Sequence, residues 1–203
     1  MRANQNVTIQ HGSTILAPYQ KQFVEQYHEW MQDKELLKLT KSEPLTLQEE
    51  YDMQEKWMAD DDKLTFIIFD MDRMIGDVNL FTVPDFEVEN LVEKYKLPNC
   101  KYGELEIMIA DANYRGKGHG QNAIKMMIAY AKTLGYHGFI ARISVDNSAS
   151  LQVFKRLNFS VIDMISIFDE FLLLYSMNGV GIEYKVHPTH VEDRCEISTN
   201  KCF

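Results

Sequence analysis

Tyr114-Arg115-Gly116-Lys117-Gly118-His119-Gly120 is the stretch of this sequence whose residue types and spacing point most directly to chemistry. Three alternating glycines let the backbone turn tightly and approach a ligand with no Cβ in the way. An amphipathic run follows, so the loop would place the free N–H groups of a helix's first turn, and the positive end of its dipole, in front of an anion. Arg115 and Lys117 add positive charge, and the expected ligand is a pyrophosphate. A Walker loop needs Ser or Thr after its lysine; Lys117 is followed by Gly118, which disfavours a P-loop NTPase. A dinucleotide fold needs an acidic residue about 20 positions on, where this chain has Ala141 and Arg142. A glycine turn without a ligand is the bland alternative, because short glycine motifs match by chance. Just upstream, Leu105, Ile107 and Ile109 alternate with Glu104, Glu106, Met108 and Ala110. A strand there presents two carboxylates on one side.

These groups need elements to hold them. Val7, Ile9, Ile15 and Leu16 around Gly12-Ser13 suggest two short strands across residues 7 to 17, ended by Pro18. Phe23, Tyr27, Trp30 and Met31 recur at helical spacing, and Thr46 with Glu49 forms a capping box before a second helix. Residues 64–69 and 74–81 flank Asp70-Met71-Asp72-Arg73 as an antiparallel hairpin. Residues 83–102, with Pro84, Pro98 and four acidic side chains, read as an irregular excursion. After the loop, Ala123, Met126, Met127, Tyr130 and Leu134 mark a helix face that is core in character, with Gly135 as its C-terminal stop. A strand from Phe139 to Val145, a helix from Ser148 to Leu157 and two strands within 161–175 follow. From Ser176 the apolar period disappears, so 176–203 reads as a flexible tail after a domain at 1–175.

The chain has 203 residues, enough for one ordinary core and with no internal repeat. Its polar start and the lack of a long apolar run argue against a signal peptide or a membrane span. Cys100, Cys195 and Cys202 are not paired by spacing. A reducing compartment, the cytoplasm, is the expectation. The net charge of −9 argues against a nucleic-acid partner, and it tolerates a cationic acceptor such as an amine. Asp60-Asp61-Asp62 reads as a solvated turn rather than a metal site. His187, His190, Cys195 and Cys202 are zinc-capable types, but their spacing matches no common finger, and no metal is assigned.

Arg115, Gly118 and Gly120 match the Arg/Gln-x-x-Gly-x-Gly/Ala pattern. Met108-Ile109-Ala110 ends the strand before the loop, and Asn147-Ser148-Ala149-Ser150 opens a helix that runs to Phe154-Lys155-Arg156-Leu157-Asn158-Phe159. On these residues the chain resembles the GNAT superfamily of acyl-CoA-dependent N-acyltransferases, in element order over about residues 7 to 175. Tyr19 to Trp30, Ser42-Glu43-Pro44-Leu45-Thr46-Leu47 and Gly76-Asp77-Val78-Asn79-Leu80-Phe81 look like the N-acetyltransferase 9-like group, linked to acetylation of tubulin amino termini. The resemblance implies an α/β (α+β) fold: a mixed, largely antiparallel twisted sheet of six to seven strands flanked by about four helices.

It also implies acetyl-CoA as co-substrate, its pyrophosphate on the amides of Arg115, Gly116, Lys117, Gly118, His119 and Gly120. Its pantetheine would lie in a splay between the strands at 104–110 and 139–145, held by backbone near Met108 and Ala110 and by Asn147, which can also simply cap its helix. The His119 side chain is expected on the helix surface, without a catalytic role. An attacking amine must be neutral, and Glu104 and Glu106 are the carboxylates available as base, each raising the other's pKa. Two solvent-facing strand acids are the competing reading. Relatives carry a tyrosine that protonates the leaving thiolate where this chain has Phe154. Water or Tyr175 would then supply the proton, or turnover would be weak. Asn158 stands where relatives have glycine and tolerates the left-handed turn. The implied function is acetylation of a protein amine, with tubulin as a candidate partner. A small-amine or polyamine acetyltransferase and a CoA-binding interaction protein are the alternatives.

Overall fold

The computed structural model describes residues 1–175 and the backbone of residues 185–188. The chain begins with strands β1 (Val7–His11) and β2 (Thr14–Pro18), followed by helices α1 (Val24–Trp30), α2 (Lys34–Thr40) and α3 (Leu47–Ala59). The Thr46–Glu49 capping box is formed in both directions and starts α3. Helix α2 has no counterpart in the sequence reading; Asp33 caps it by accepting from the amides of Glu35 and Leu36. Strands β3 (Lys63–Asp70) and β4 (Arg73–Thr82) make the expected hairpin.

The stretch read as irregular instead contains helix α4 (Asp85–Tyr95). Pro84 is its N-cap residue, a left-handed Lys96 ends it, and Val88 and Leu91 are buried on its inner face. The prolines bound a helix there rather than breaking one. Strand β5 (Tyr102–Ile109), helix α5 (His119–Thr133), strand β6 (Gly138–Ser144), helix α6 (Ser148–Arg156) and strands β7 (Phe159–Ile165) and β8 (Glu170–Tyr175) follow. Gly135 and Asn158 both take positive φ, at 85° and 64°, after the two helices they terminate.

Strand β9 (Lys185–Pro188) pairs antiparallel with β1, from Val7 opposite Pro188 to Gln10 opposite Lys185. Part of the expected tail is therefore an edge strand. The His187 side chain, His190, Cys195 and Cys202 lie outside the described residues. The sheet order is β7-β8-β6-β5-β4-β3-β2-β1-β9, nine strands among the described residues rather than six or seven. Every pairing is antiparallel except β5 with β6.

Two layers of helix cover the sheet. Ala123, Ile124, Met126, Met127 and Tyr130 of α5 pack with Leu16, Phe66, Val78, Leu80 and Leu105 on one face. Tyr27 of α1, Leu36 of α2, Ile67, Phe69, Met108 and Ala110 form a second cluster on the other. The alternation of β5 is what divides them: its odd residues meet α5 and its even residues look into the opposite layer.

Candidate active site

Gly118 is the N-cap of α5 with φ 93°, and Gly116 has φ 74°. A side chain at either would be strained by its backbone conformation alone, although open space surrounds both positions. No side chain caps this helix end, so its first amides face a cavity of about 260 Å³ lined by Arg115, Gly116, Gly118, His119 and Gly120. These residues fit a pyrophosphate.

Three side chains of the loop do other work than expected. Arg115 donates from Nε to the Ile109 carbonyl at 2.9 Å and from Nη2 to the Ala110 carbonyl at 3.2 Å. It clamps the end of β5 instead of standing free as a phosphate ligand. Lys117 lies outside the cavity lining, its Nζ 5.0 Å from the Tyr114 ring centroid. His119 is a correction too: it is buried rather than on the helix surface, its Nδ1 3.0 Å from Thr14 Oγ1 and its Nε2 3.8 Å from Asp70 Oδ2. The first turn of α5 sits over β2 and β3, which turns that ring inward. Arg156, at the end of α6, is a cation of this cavity that the sequence reading passed over.

Strands β5 and β6 pair only from Tyr102–Gly138 to Glu104–Ile140 and then separate, leaving the splay. The backbone at Met108 and Ala110, expected to hold the pantetheine, points the other way. Ala110 N–H donates to the Ile75 carbonyl at 2.9 Å, and Tyr102 accepts from Val83 at 3.0 Å. Alternation in an antiparallel ladder then turns the even residues of β5 toward β4 and the odd ones, Ile107 among them, into the splay. Asn147 spends its Oδ1 on the Ser150 amide at 3.0 Å as the cap of α6, and it lines the cavity.

A second cavity of about 340 Å³ joins the first at Ile107, Met108, Asn147 and Ser150. Its floor is one face of the sheet. Cross-strand register places Lys63, Phe81 and Glu104 in one row, Thr65, Asn79 and Glu106 in the next, and Ile67, Asp77 and Met108 in a third. Glu104 and Glu106 do share a face, but they are not equivalent. Arg142 bonds the Glu104 carboxylate through Nη1 and that of Glu87 through Nη2. Burial, opposed by Arg142, pushes the Glu104 carboxyl up to about 7. Glu106 makes no hydrogen bond or ion-pair contact among the described residues, and it is open to the cavity it lines. The protein around it removes enough water to raise its carboxyl above the ordinary value, with Lys63 opposing. Burial, not mutual repulsion, is thus the first cause of both shifts.

Asp77 is the polar group that the sequence reading left unused. It is 2% exposed and lines the same cavity. Asn79 Nδ2 donates to Asp77 Oδ2 at 2.7 Å, Thr65 Oγ1 donates to Asn79 Oδ1 at 2.6 Å, and Asp77 Oδ1 has no hydrogen-bond partner among the described residues. Burial pushes its carboxyl up to about 7. The alternation of Asp77 and Asn79 with Val78 and Leu80 was the available signal. Phe154 lines this cavity, packed edge-on to Phe159. Tyr175 lines neither cavity, because its ring packs on Phe139 and Phe159; it does not replace the missing phenol. Tyr27 does line the second cavity.

Residues 14–160 match the acetyltransferase (GNAT) domain family. An N-acetyltransferase 9-like protein of Caenorhabditis elegans is 39% identical over 99% of this chain and 100% of its own length. The human alpha/beta-tubulin-N-acetyltransferase 9 is 37% identical over 96% of this chain and 95% of its own. The fold is shared with the spermidine N-acetyltransferase of Vibrio cholerae, solved with CoA and spermine, at a TM-score of 0.66 and 16% identity over 87% of this chain and 96% of that one. This chain belongs to the GNAT family, as an N-acetyltransferase whose acyl donor is acetyl-CoA.

Proposed function

We propose that this protein acetylates the α-amino terminus of a protein acceptor, tubulin first among the candidates, by direct attack of the amine on the thioester, and that it does so in the cytoplasm. The observation that carries the reading is the Glu106 carboxylate, without a hydrogen-bond partner among the described residues, in a cavity that opens onto the glycine cradle at Ile107 and Met108. Acetyl-CoA supplies an acyl group already activated as a thioester. The α5 amides bind its pyrophosphate, and the Ile107 N–H in the splay fixes the acyl arm and favours negative charge on the carbonyl oxygen. Glu106 takes a proton from the acceptor's ammonium, and burial, which raises its carboxyl above the ordinary value, makes it a stronger base than a free carboxylate. The amine nitrogen forms its bond to the acyl carbon, the carbon–sulfur bond breaks, and the thiolate takes one of the two remaining amine protons, directly or through water, while the other stays on the amide nitrogen. A CoA thiolate is a stable leaving group, so Phe154 does not prevent turnover. Tubulin enters through the human relative's name, and the cytoplasm through the unpaired cysteine spacing.

A polyamine acceptor is the second reading, favoured by the acidic lining of Asp77, Glu104, Glu106 and Glu170. The test incubates the purified chain with acetyl-CoA and the amino-terminal peptides of α- and β-tubulin, a peptide with a blocked terminus and an internal lysine, and spermidine. Mass spectrometry is expected to find the acetyl group on the free α-amines. Acetyl groups on spermidine alone would replace the reading with the second.

A further inference from the structure

Lys63 opens β3 and is 3% exposed, yet it lines the acceptor-side cavity. Its Nζ lies 3.5 Å from the Trp57 ring centroid and 3.9 Å from that of Phe81, so two aromatic faces hold the cation. It makes no hydrogen bond and no ion-pair contact among the described residues; Asp77, Glu106 and Asp60 act on it only through space. An ammonium has three donors, aromatic faces are poor substitutes for oxygen acceptors, and a buried donor left unpaired is costly. Burial brings its pKa down to about 8, which still leaves it charged at neutral pH. Here, then, is a buried cation with donors to spare, facing the space where the acceptor must enter.

We infer that Lys63 is a specificity residue: its Nζ donates to the first carbonyl of a peptide acceptor while Glu106 takes the amine. The inference rests on the acceptor reading given above and deepens it. Lys63 and Glu106 stand on one face of the sheet, two strands apart across β4 and one row apart along it. Two strand spacings are roughly 10 Å, so the long side chains approach the same space from two sides. A peptide α-amine carries a carbonyl on the carbon beside its own. A lysine side chain and a polyamine have none, and a polyamine brings a second ammonium that a buried cation repels. Lys63 therefore selects for a peptide terminus within a cavity whose acidic lining would otherwise welcome any polycation.

The experiment measures kcat/KM for three acceptors: a peptide with a free α-amine, the same peptide with its first amide replaced by an (E)-alkene, and spermidine. Wild-type protein is expected to lose at least about tenfold on the alkene peptide, a buried hydrogen bond to a charged group being worth that much or more, and to use spermidine more poorly still. Lys63→Met keeps an unbranched apolar stem between Trp57 and Phe81 but removes the charge. In that variant the two peptides are expected to converge and the gap to spermidine to narrow by about tenfold, with acetyl-CoA affinity unchanged in calorimetry. Equal use of the two peptides by wild-type protein, a measurement needing no variant, overturns the inference. So does a Lys63→Met variant that slows on all acceptors alike with its ratios intact, the mark of a structural lysine. A wild-type protein that acetylates no peptide removes the acceptor reading and this inference with it.

Discussion

Two glutamates two residues apart on one strand have different employment because of what reaches them from other strands. Arg142 holds Glu104, whereas Glu106 meets the open cavity and, only through space, the charges of Lys63, Glu170 and Arg142. Glu106→Gln is expected to lower kcat by about 10² to 10⁴, the usual loss for a general base, with acetyl-CoA affinity unchanged and the deficit shrinking as pH rises toward the amine's own pKa. Glu104→Gln should cost far less in rate, because the role of Glu104 is to hold Arg142. Steady-state kinetics of both variants across pH checks this; equal losses would return the pair to the undivided status it has in the sequence. Asp77 makes a stability prediction. Its carboxyl titrates at about 7 in the fold against 3.8 normally. A carboxyl raised in this way favours folding while protonated, so its contribution is whole below about pH 4 and is lost as pH climbs through about 7. Asp77→Asn keeps the shape and carries no charge. Its melting temperature relative to wild type should therefore rise between about pH 4 and about pH 7 and level off above, by about 2 to 4 °C for each kcal/mol in a domain of this size. A difference that stays constant with pH would contradict the buried-carboxyl account.

At the scale of elements, the donor site is a helix end and a splayed pair of strands. Gly118 supplies the turn into α5 and leaves open space where the anion is expected. Gly118→Asp adds backbone strain of about 1 to 2 kcal/mol and a negative charge in front of the free amides, and it should abolish acetyl-CoA binding in calorimetry. Gly118→Ala carries the strain alone and should retain much of the binding; full affinity in both variants would remove the cradle. Gly76 shows a different demand. A Cβ there would stand 2.0 Å from the Met108 carbonyl oxygen, so β4 can lie flat against β5 beside the junction of the two cavities only with glycine at that position. Two of the helices over the polar face have a side-chain cap at their start, α2 from Asp33 and α3 from the Thr46–Glu49 box, and the box is the signal that makes α3 legible in the sequence.

At the scale of the molecule, α5 seals one face of the sheet with apolar side chains, and the other face keeps a polar belt from β3 to β8 under α1 to α4. The belt is where the acceptor cavity forms. The far edge of the sheet is completed by β9 on β1, well away from the splay in strand order. Deleting residues 176–203 leaves β1 as an unprotected edge and should lower the melting temperature by a few degrees, on the order of 2 to 4 °C per kcal/mol lost, with acetyl-CoA affinity unchanged. Thermal unfolding and calorimetry on the truncated chain decide it; a weakened donor site would tie this edge to the catalytic half in a way the topology does not suggest.

What the sequence determined by itself was local and periodic: the glycine loop ahead of an amphipathic helix, the capping box at Thr46, the hairpin from β3 to β4, and the alternation that puts Glu104 and Glu106 on one face. Such features depend on spacings of two to four residues, and the side-chain directions follow from helix and strand geometry alone. The helix within 83–102 has no such mark: Pro84 and Pro98 bound it, and the burial of Val88 and Leu91 that holds α4 in place comes from residues far along the chain. The division of labour among the charged groups came only with the tertiary structure. Arg142 meets Glu104 across the short parallel register of β5 and β6, Lys63 reaches the cavity through the register of three antiparallel strands, and His119 turns inward because α5 lies over β2. Register between strands distant in sequence leaves no periodic mark on any one of them, so which carboxylate is free, and which cation faces it, is settled by the packing of the sheet.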